Sequence, residues 1–402
     1  MDLIDLRERF HERGLYKDWA AAGPSLLLRA LAHLPVDILV DGGMFPPKAA
    51  ARLAATSRAV RRLLPRLEGR LPAHASVYPD LAGRDEVCTG LARLAGWAHV
   101  TTLSLDSCRL AGRAQWLARS LAPCTALTDL TLSNAGLADG DLTAEVAGAL
   151  AALSSLSRLS LQGNLLQGSE GLCDCLLACP ALTGLDLSDN NVKDDGWRHV
   201  ERGMGLGMQN MTALTALYLQ GNHFCVGGVS AIRRVCWHNT RLAVLQLGGS
   251  DLGFFEFTMM SFQLQRCVAL SELSLHGGVG EDDVLGDEGA ERVSLLGVHC
   301  PRLATLDLSS NRITDVGAGS FALAMRSGHF SALTALCLTE NEVGDAGALE
   351  LVQATQHCPR FERLALGRNR LSYEGIAVLE TAWGREAAKG LWTRDSRLYS
   401  SF

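Results

Sequence analysis

The sequence predicts an α/β solenoid: a horseshoe of about ten stacked coils, with strands on the concave side, helices on the convex side and a helical cap at the N-terminal end. Three observations carry this. A Leu-x-Leu phrase recurs ten times between residues 103 and 366. The spacing between copies runs from 26 to 33 residues, with a mean of 29. Apolar residues recur at fixed offsets around each copy, and the stretch after each reads as an amphipathic helix.

Residues 1–97 come first and read as a helical head. The opening MDLIDLRERF carries Asp2, Asp5 and Glu8, which fits neither a mitochondrial presequence nor a secretory signal, so a cytoplasmic protein is expected. Residues 34–64 begin with Leu34, Pro35, Asp37, Ile38 and Leu39, break at Pro46 and Pro47, and close with Leu53, Ser57, Arg58, Arg61 and Leu63. This pattern resembles an F-box. The resemblance implies that Leu34, Pro35, Ile38, Leu39 and Leu53 touch the small adaptor subunit of a cullin–RING ubiquitin ligase. Gly42 and Gly43 stand where that family places large apolar residues, and Val60 replaces its Trp. The alternative is a plain capping helix over the first coil. Residues 1–100 carry a net charge of +3 and the remainder −9, within a total of −6. Arg52, Arg58, Arg61, Arg62, Arg66 and Arg70 form either a solvated helix face or a contact for an acidic surface.

Residues 98–385 form the repeat array. The first leucines of the ten copies are Leu103, Leu130, Leu159, Leu185, Leu217, Leu245, Leu273, Leu306, Leu336 and Leu364. Leucines two apart share one side of a strand and point into the core. Three residues before each comes an aliphatic residue or Phe361; seven after comes an aliphatic residue or Phe224, except at Gly280. Asparagine fills the fifth position after it in six copies: Asn164, Asn190, Asn222, Asn311, Asn341 and Asn369. Its amide is expected to bond backbone groups of neighbouring coils. The helical halves at 193–200, 314–324 and 344–352 open with acidic or small residues. CysPro at 179–180, 300–301 and 358–359 closes a helix before the next strand.

At this length, with a full helix per unit, the repeat resembles the ribonuclease-inhibitor-like class of leucine-rich repeats. The CysPro junctions resemble the cysteine-containing class common in F-box proteins. Two units are longer, near 204–211 and at 280–289. The second holds five acids in ten residues and reads as a solvated loop or a docking element for a basic partner. The tail, 386–402, holds Trp392, Tyr399 and Phe402 and follows Trp383; these aromatics either cap the last coil or insert into a partner.

The longest run free of charged side chains, 203–232, carries amides and glycines and fits the repeat, so it is not a membrane span. No membrane partner is expected, and the net negative charge argues against nucleic acid. Most of the twelve cysteines stand where a small apolar residue would serve. Cys173, Cys175 and Cys179 lack a paired CxxC or a His partner, so packing rather than zinc is expected, with no metal and no cofactor.

Binding is expected on the concave face. Ten strands give an arc of order 45 Å, suited to a protein rather than a small molecule. The anchors are Arg158, Tyr218, His276 and Arg363, because interface energy concentrates in aromatic and arginine side chains. No catalytic motif is present: there is no GxGxxG opening a βαβ unit, no P-loop and no HExxH. The resulting expectation is a non-catalytic interaction protein. By resemblance it is a substrate receptor of a ubiquitin ligase, partnered by the ligase adaptor and a target. The alternative is a scaffold subunit of a large assembly such as the ciliary axoneme, whose dynein-regulatory complex contains F-box-like and leucine-rich-repeat subunits.

Overall fold

The computed structural model describes residues 74–76, 100–168, 170–192, 211–223, 226–277, 280, 284–384 and 391–392. The F-box-like segment, and with it Leu34, Pro35, Ile38, Leu39 and Leu53, lies outside these residues. So do the helical reading of 193–200, most of 204–211 and the tail beyond Trp392.

Twelve short parallel strands form one sheet in strict chain order. They are β1 (His74–Ser76), β2 (Thr102–Ser104), β3 (Asp129–Thr131), β4 (Arg158–Ser160), β5 (Gly184–Asp186) and β6 (Ala216–Tyr218). Then follow β7 (Val244–Gln246), β8 (Glu272–Ser274), β9 (Thr305–Asp307), β10 (Ala335–Cys337), β11 (Arg363–Ala365) and β12 (Leu391–Trp392). Between β2 and β11 the first leucines stack in register, as in Leu103 on Leu130 and Leu306 on Leu336. All ten leucine pairs are at most 2% exposed. Period two along each strand therefore sends one row into the core and leaves the other facing out.

The helices lie on the other side. They are α1 (Ala114–Leu121), α2 (Ala144–Ala151), α3 (Glu170–Leu177), α4 (Val226–His238) and α5 (Phe254–Leu264). The array continues with α6 (Gly286–Ser294), α7 (Leu296–His299), α8 (Asp315–Arg326), α9 (Asp345–Ala354) and α10 (Tyr373–Trp383). Each turns one stripe inward: α8 buries Phe321, Ala322 and Met325 while Val316 and Leu323 stay exposed. None is long and apolar enough to cross a membrane.

The sheet is longer than the leucine phrase indicates. β1 lies inside the 1–97 segment read as a helical head, and β12 lies inside the tail. HisAlaSer carries no leucine and LeuTrp only one, so the phrase passes over both; pairing with a finished neighbour supplies the hydrogen bonds that their side chains do not advertise. The acidic insertion at 280–289 also differs from a plain loop. Leu285 is buried and residues 286–289 open α6.

At the rim the chain turns through a left-handed residue. Ser107, Asn134, Asp189, Ser310, Glu340 and Arg368 all have φ between 51° and 57°. The next residue is the asparagine position, and its amide spans two coils. Asn164 Nδ2 donates to Leu132 O at 2.9 Å and Leu161 O at 2.7 Å, and its Oδ1 accepts from Ala135 N and Leu137 N, both at 3.0 Å. Asn190, Asn222, Asn341 and Asn369 repeat the pattern. Asn311 also reaches across, donating to Leu275 O at 2.8 Å and accepting from Leu285 N at 3.0 Å. Ser250 replaces the amide in one coil, with its hydroxyl donating to Leu219 O at 3.2 Å.

Gly277 marks a close approach between coils. A Cβ there would stand 1.8 Å from Ser310 O, a backbone atom that cannot swing aside. Gly277→Ala is expected to cost about 1–3 kcal/mol by forcing the coils apart. A denaturation midpoint equal to the parent's would mean that the two coils are not packed this closely.

The ten described cysteines are buried. Burial pushes Cys175, Cys179 and Cys300 up to about 12, from an ordinary 9.0. They are therefore expected to resist iodoacetamide at pH 8 in the native protein and to react once it unfolds. The unfolded chain loses these protons near 9 while the folded chain holds them to about 12, so stability falls as pH rises through that window. Rapid native labelling of Cys179 would contradict the packing.

Candidate protein-binding face

The outward row of the sheet consists of the residues before, between and after each leucine pair. Its neighbours in space come from consecutive coils, so the face is assembled by register rather than by any local motif. With twelve strands the arc grows to about 50 Å.

The middle of the face is a charged cluster around one aromatic. Tyr218 on β6 lies between Asp186 on β5 and Gln246 on β7. Burial, then the Glu272 and Asp186 carboxylates, push its hydroxyl above the ordinary phenol range, and Arg158 opposes them. Arg158 forms an ion pair with Asp129, and its stem lies over Gly184, where a Cβ would meet Arg158 Cγ at 3.1 Å. The Arg158 side chain remains 71% exposed, so the pair contributes little to stability and its head stays accessible to a partner. Gln246 in turn donates to Glu272.

His276 follows β8 and lies against the backbone of the preceding coil. A Cβ on Gly248 would fall 1.9 Å from its Cδ2, so the ring occupies the space that a side chain would take there. Its Nδ1 is 3.4 Å from Gly277 O. Further on, Ser309 Oγ donates to Asp307 at 2.6 Å and Ser274 Oγ to the same carboxylate at 3.5 Å. Arg363 stands on β11, three strands beyond β8. The face thus brings Arg158 and Tyr218 together with Asp186 and Glu272, places His276 nearby, and leaves Arg363 at the far end. Trp383 stacks edge-on against Phe361 at 6.2 Å and is 6% exposed, which makes it a cap of the last full coil.

Two other features escape a reading of single coils. Along the rim, side chains join successive turns: His223 Nδ1 hydrogen-bonds with Asp251, and ion pairs link Arg368 with Glu340 and Arg370 with Glu342, the latter at 2.6 Å. At the helix starts, an aspartate of one coil caps the helix of the next. Asp287 accepts from Thr314 N at 2.8 Å and Gly317 N at 3.0 Å; Asp345 accepts from Ser372 N at 2.9 Å and Ser372 Oγ at 2.6 Å. Asp315 likewise accepts from Gly344 N at 2.6 Å. Gly347 makes room for this, since a Cβ there would meet Asp315 Oδ1 at 2.5 Å and its Cα at 2.8 Å. The signal in the sequence is Asp-x-Gly at 287–289, 315–317 and 345–347, one coil apart.

Among the described residues no group of three or more His, Cys, Asp or Glu is placed to hold a metal ion. What the described side chains of the face offer is hydrogen bonds, charge and the half-buried aromatic Tyr218 along a curved strip.

Comparison with known proteins agrees with this architecture. The family model described as Leucine Rich repeat matches residues 178–197 and 299–322. The chain is 26% identical over 302 residues to a ribonuclease inhibitor from Sus scrofa, covering 74% of this chain and 64% of that protein. It is 30% identical over 240 residues to a Tonsoku-like protein from Bos taurus, covering 56% of this chain and 17% of that protein. It therefore spans less than two thirds of either relative. Among solved structures, a chain of the yeast Rad7 and Elc1 complex is similar in fold, with a TM-score of 0.53 at 16% identity, covering 94% of this chain and 90% of that one. Repeat phrase, coil geometry and family match converge: the described solenoid is built of leucine-rich repeats.

Proposed function

We propose that this chain is a non-catalytic receptor that holds a protein on its concave face while the F-box-like segment at 34–64 docks a ligase adaptor. The observation that carries the first half is the cluster of Arg158, Asp186, Tyr218 and Glu272 on a strip of parallel strands. An extended polar strip with an aromatic and an accessible guanidinium matches the composition of protein-binding hot spots. The second half rests on the residues that resemble an F-box. The likeness to a chain of a complex named for two proteins, Rad7 and Elc1, supports a solenoid that works within an assembly.

The test pairs two variants with a purified cullin–RING adaptor and with the proteins captured by the parent. Ile38→Asp combined with Leu39→Asp is expected to abolish adaptor binding while the solenoid keeps its melting temperature. Tyr218→Ala is expected to leave the adaptor bound and to weaken the captured target about tenfold or more. A parent that never binds the adaptor sinks the ligase reading. Unchanged target binding in Tyr218→Ala removes the concave face from it.

A further inference from the structure

The concave face carries one sign of charge over most of its length, and this narrows what it can hold. In each coil the strip that lines the face runs from two residues before the first leucine to four after it. In the coils from β5 to β10 these strips are 183–189, 215–221, 243–249, 271–277, 304–310 and 334–340. They contain Asp186, Asp189, Glu272, Asp307 and Glu340, with one His, His276, and neither Lys nor Arg. Among the ten leucine coils, arginine enters the strips only towards the ends. Arg158 on β4 is paired with Asp129, and Arg363 and Arg368 share the β11 coil, the latter paired with Glu340. Arg241, Arg302 and Arg312 lie outside the strips, four residues before or six after a first leucine.

The acids fall in two groups. Asp186 and Asp189 belong to the β5 coil; Glu272, Asp307 and Glu340 belong to the coils of β8, β9 and β10. Between them β6 and β7 present Tyr218, Gln220 and Gln246. The step from β5 to β8 is about 14 Å. The first four acids are held by neutral donors. Asp186 accepts from Ser188 N at 3.0 Å and Ser160 Oγ at 3.3 Å, Asp189 from Gln162 Nε2 at 2.9 Å, Glu272 from Gln246, and Asp307 from Ser309 N at 3.0 Å. Such bonds orient the carboxylates without cancelling their charge.

A second observation is independent of charge. Ser188, on the outward row, is 0% exposed, yet its Oγ has no hydrogen-bond partner among the described residues. Nor has Gln220 Oε1, which is buried on the neighbouring strand, two residues along from Tyr218. Buried polar atoms are normally paired. Gln220 Oε1 can only accept, so what satisfies it is a donor from outside the described side chains.

We propose that the middle of the concave face seats a basic protein segment laid across the strands, with one Lys or Arg over the Tyr218 ring and others at Asp186–Asp189 and at Glu272–Asp307. This rests on the concave-face reading above and adds the chemistry of the occupant. The Tyr218 ring offers a cation–π face, and the carboxylates on either side match the charge. The N–H groups of the cations supply the donors that Gln220 Oε1 and the carboxylate lone pairs take up. About four residues of extended chain span the two acidic groups, so the cations recur at about that interval.

The experiment uses the full chain and short fluorescein-labelled Gly/Ser peptides: one with lysines four residues apart, one with glutamates at the same places and one uncharged. Binding is read by fluorescence anisotropy. Only the lysine peptide is expected to bind, with affinity falling as salt rises. Asp186→Asn combined with Glu272→Gln should weaken it at least about tenfold, and so should Tyr218→Ala. Glu380→Gln, which removes an exposed carboxylate from α10 on the convex side, should leave it unchanged. Asp307→Asn, on another coil, repeats the test if the double variant lowers the melting temperature. No binding of the lysine peptide, equal binding of the glutamate peptide, or binding that the acid variants leave unchanged would overturn the proposal. The same variants, assayed on the proteins captured by the parent, separate the two readings. Loss in Tyr218→Ala with none in the acid variants keeps the concave face and overturns the basic occupant; loss in neither removes the face itself.

Discussion

Leu308→Ala and Leu338→Ala are each expected to lower stability by about 2–5 kcal/mol. Both side chains are fully buried, in adjacent coils near the C-terminal end of the sheet. Each loses its transfer free energy and leaves a cavity that rigid neighbours cannot close. The strands on either side are fixed by backbone hydrogen bonds such as Leu308 N to Cys337 O and Leu338 N to Ala365 O, at 2.9 and 2.8 Å. Collapse into the hole would break that register. Leu323→Ala on α8 is the control: this side chain is 64% exposed, and its removal should change stability by no more than about 0.5 kcal/mol. A solenoid couples each coil mainly to its neighbours, so the loss should also appear as faster amide exchange in the coils beside the mutation. Equal denaturation midpoints for Leu308→Ala and Leu323→Ala would show that the coil register is wrong.

The parts of the fold legible in the sequence are those where one physical demand selects one residue type. A row of side chains sealed between coils must be apolar and branched to fit, so leucine recurs and the ten central strands can be read directly. The amide position is legible for a related reason, because few side chains both donate to and accept from backbone groups. The end strands are not legible, since β1 and β12 each have one finished neighbour to pair with and need no leucine pair of their own. The aspartates at the helix starts are ambiguous for another reason. An acid there suits a local cap as well as the next coil's cap, and only the structure shows that Asp287 and Asp345 reach across. The exposed aromatic side chains of α5 are hidden by composition. In PhePheGluPheThrMetMetSerPhe, at 254–262, apolar residues fill nearly every position, so period 3.6 does not separate the buried Phe257 from the exposed Phe255 and Phe262. The concave cluster was legible as a list of outward residues. Its centre at Tyr218 emerges only when strands from separate coils are set side by side.

Asn341→Ala should cost about 3–5 kcal/mol, more than its small volume suggests. The Asn341 amide accepts from Asn311 N and Ile313 N, both at 3.0 Å, and donates to Leu308 O and Leu338 O, both at 2.9 Å. Alanine takes this partner from Asn311 N, Ile313 N and Leu308 O, at about 1–3 kcal/mol for each that water cannot reach, while Leu338 O keeps its bond from Asn369 Nδ2 at 2.8 Å. Asn341→Asp separates the two halves of the role. Its carboxylate can still accept from the two N–H groups but cannot donate, and it sets a negative charge against the Leu308 and Leu338 carbonyl oxygens. That environment raises the acid's pKa in the folded state above the unfolded value near 3.9. The protonated acid, which can donate one hydrogen bond, is therefore the form that folding favours. Stability relative to the parent should be best below about pH 4 and should fall as pH rises through the folded pKa. The measurement is chemical denaturation of parent, Asn341→Ala and Asn341→Asp at pH 4 and pH 7. An Asp variant that is equally unstable at both, or more stable at pH 7, would mean that the amide does not donate to those carbonyls and that the coils are joined by something other than this ladder.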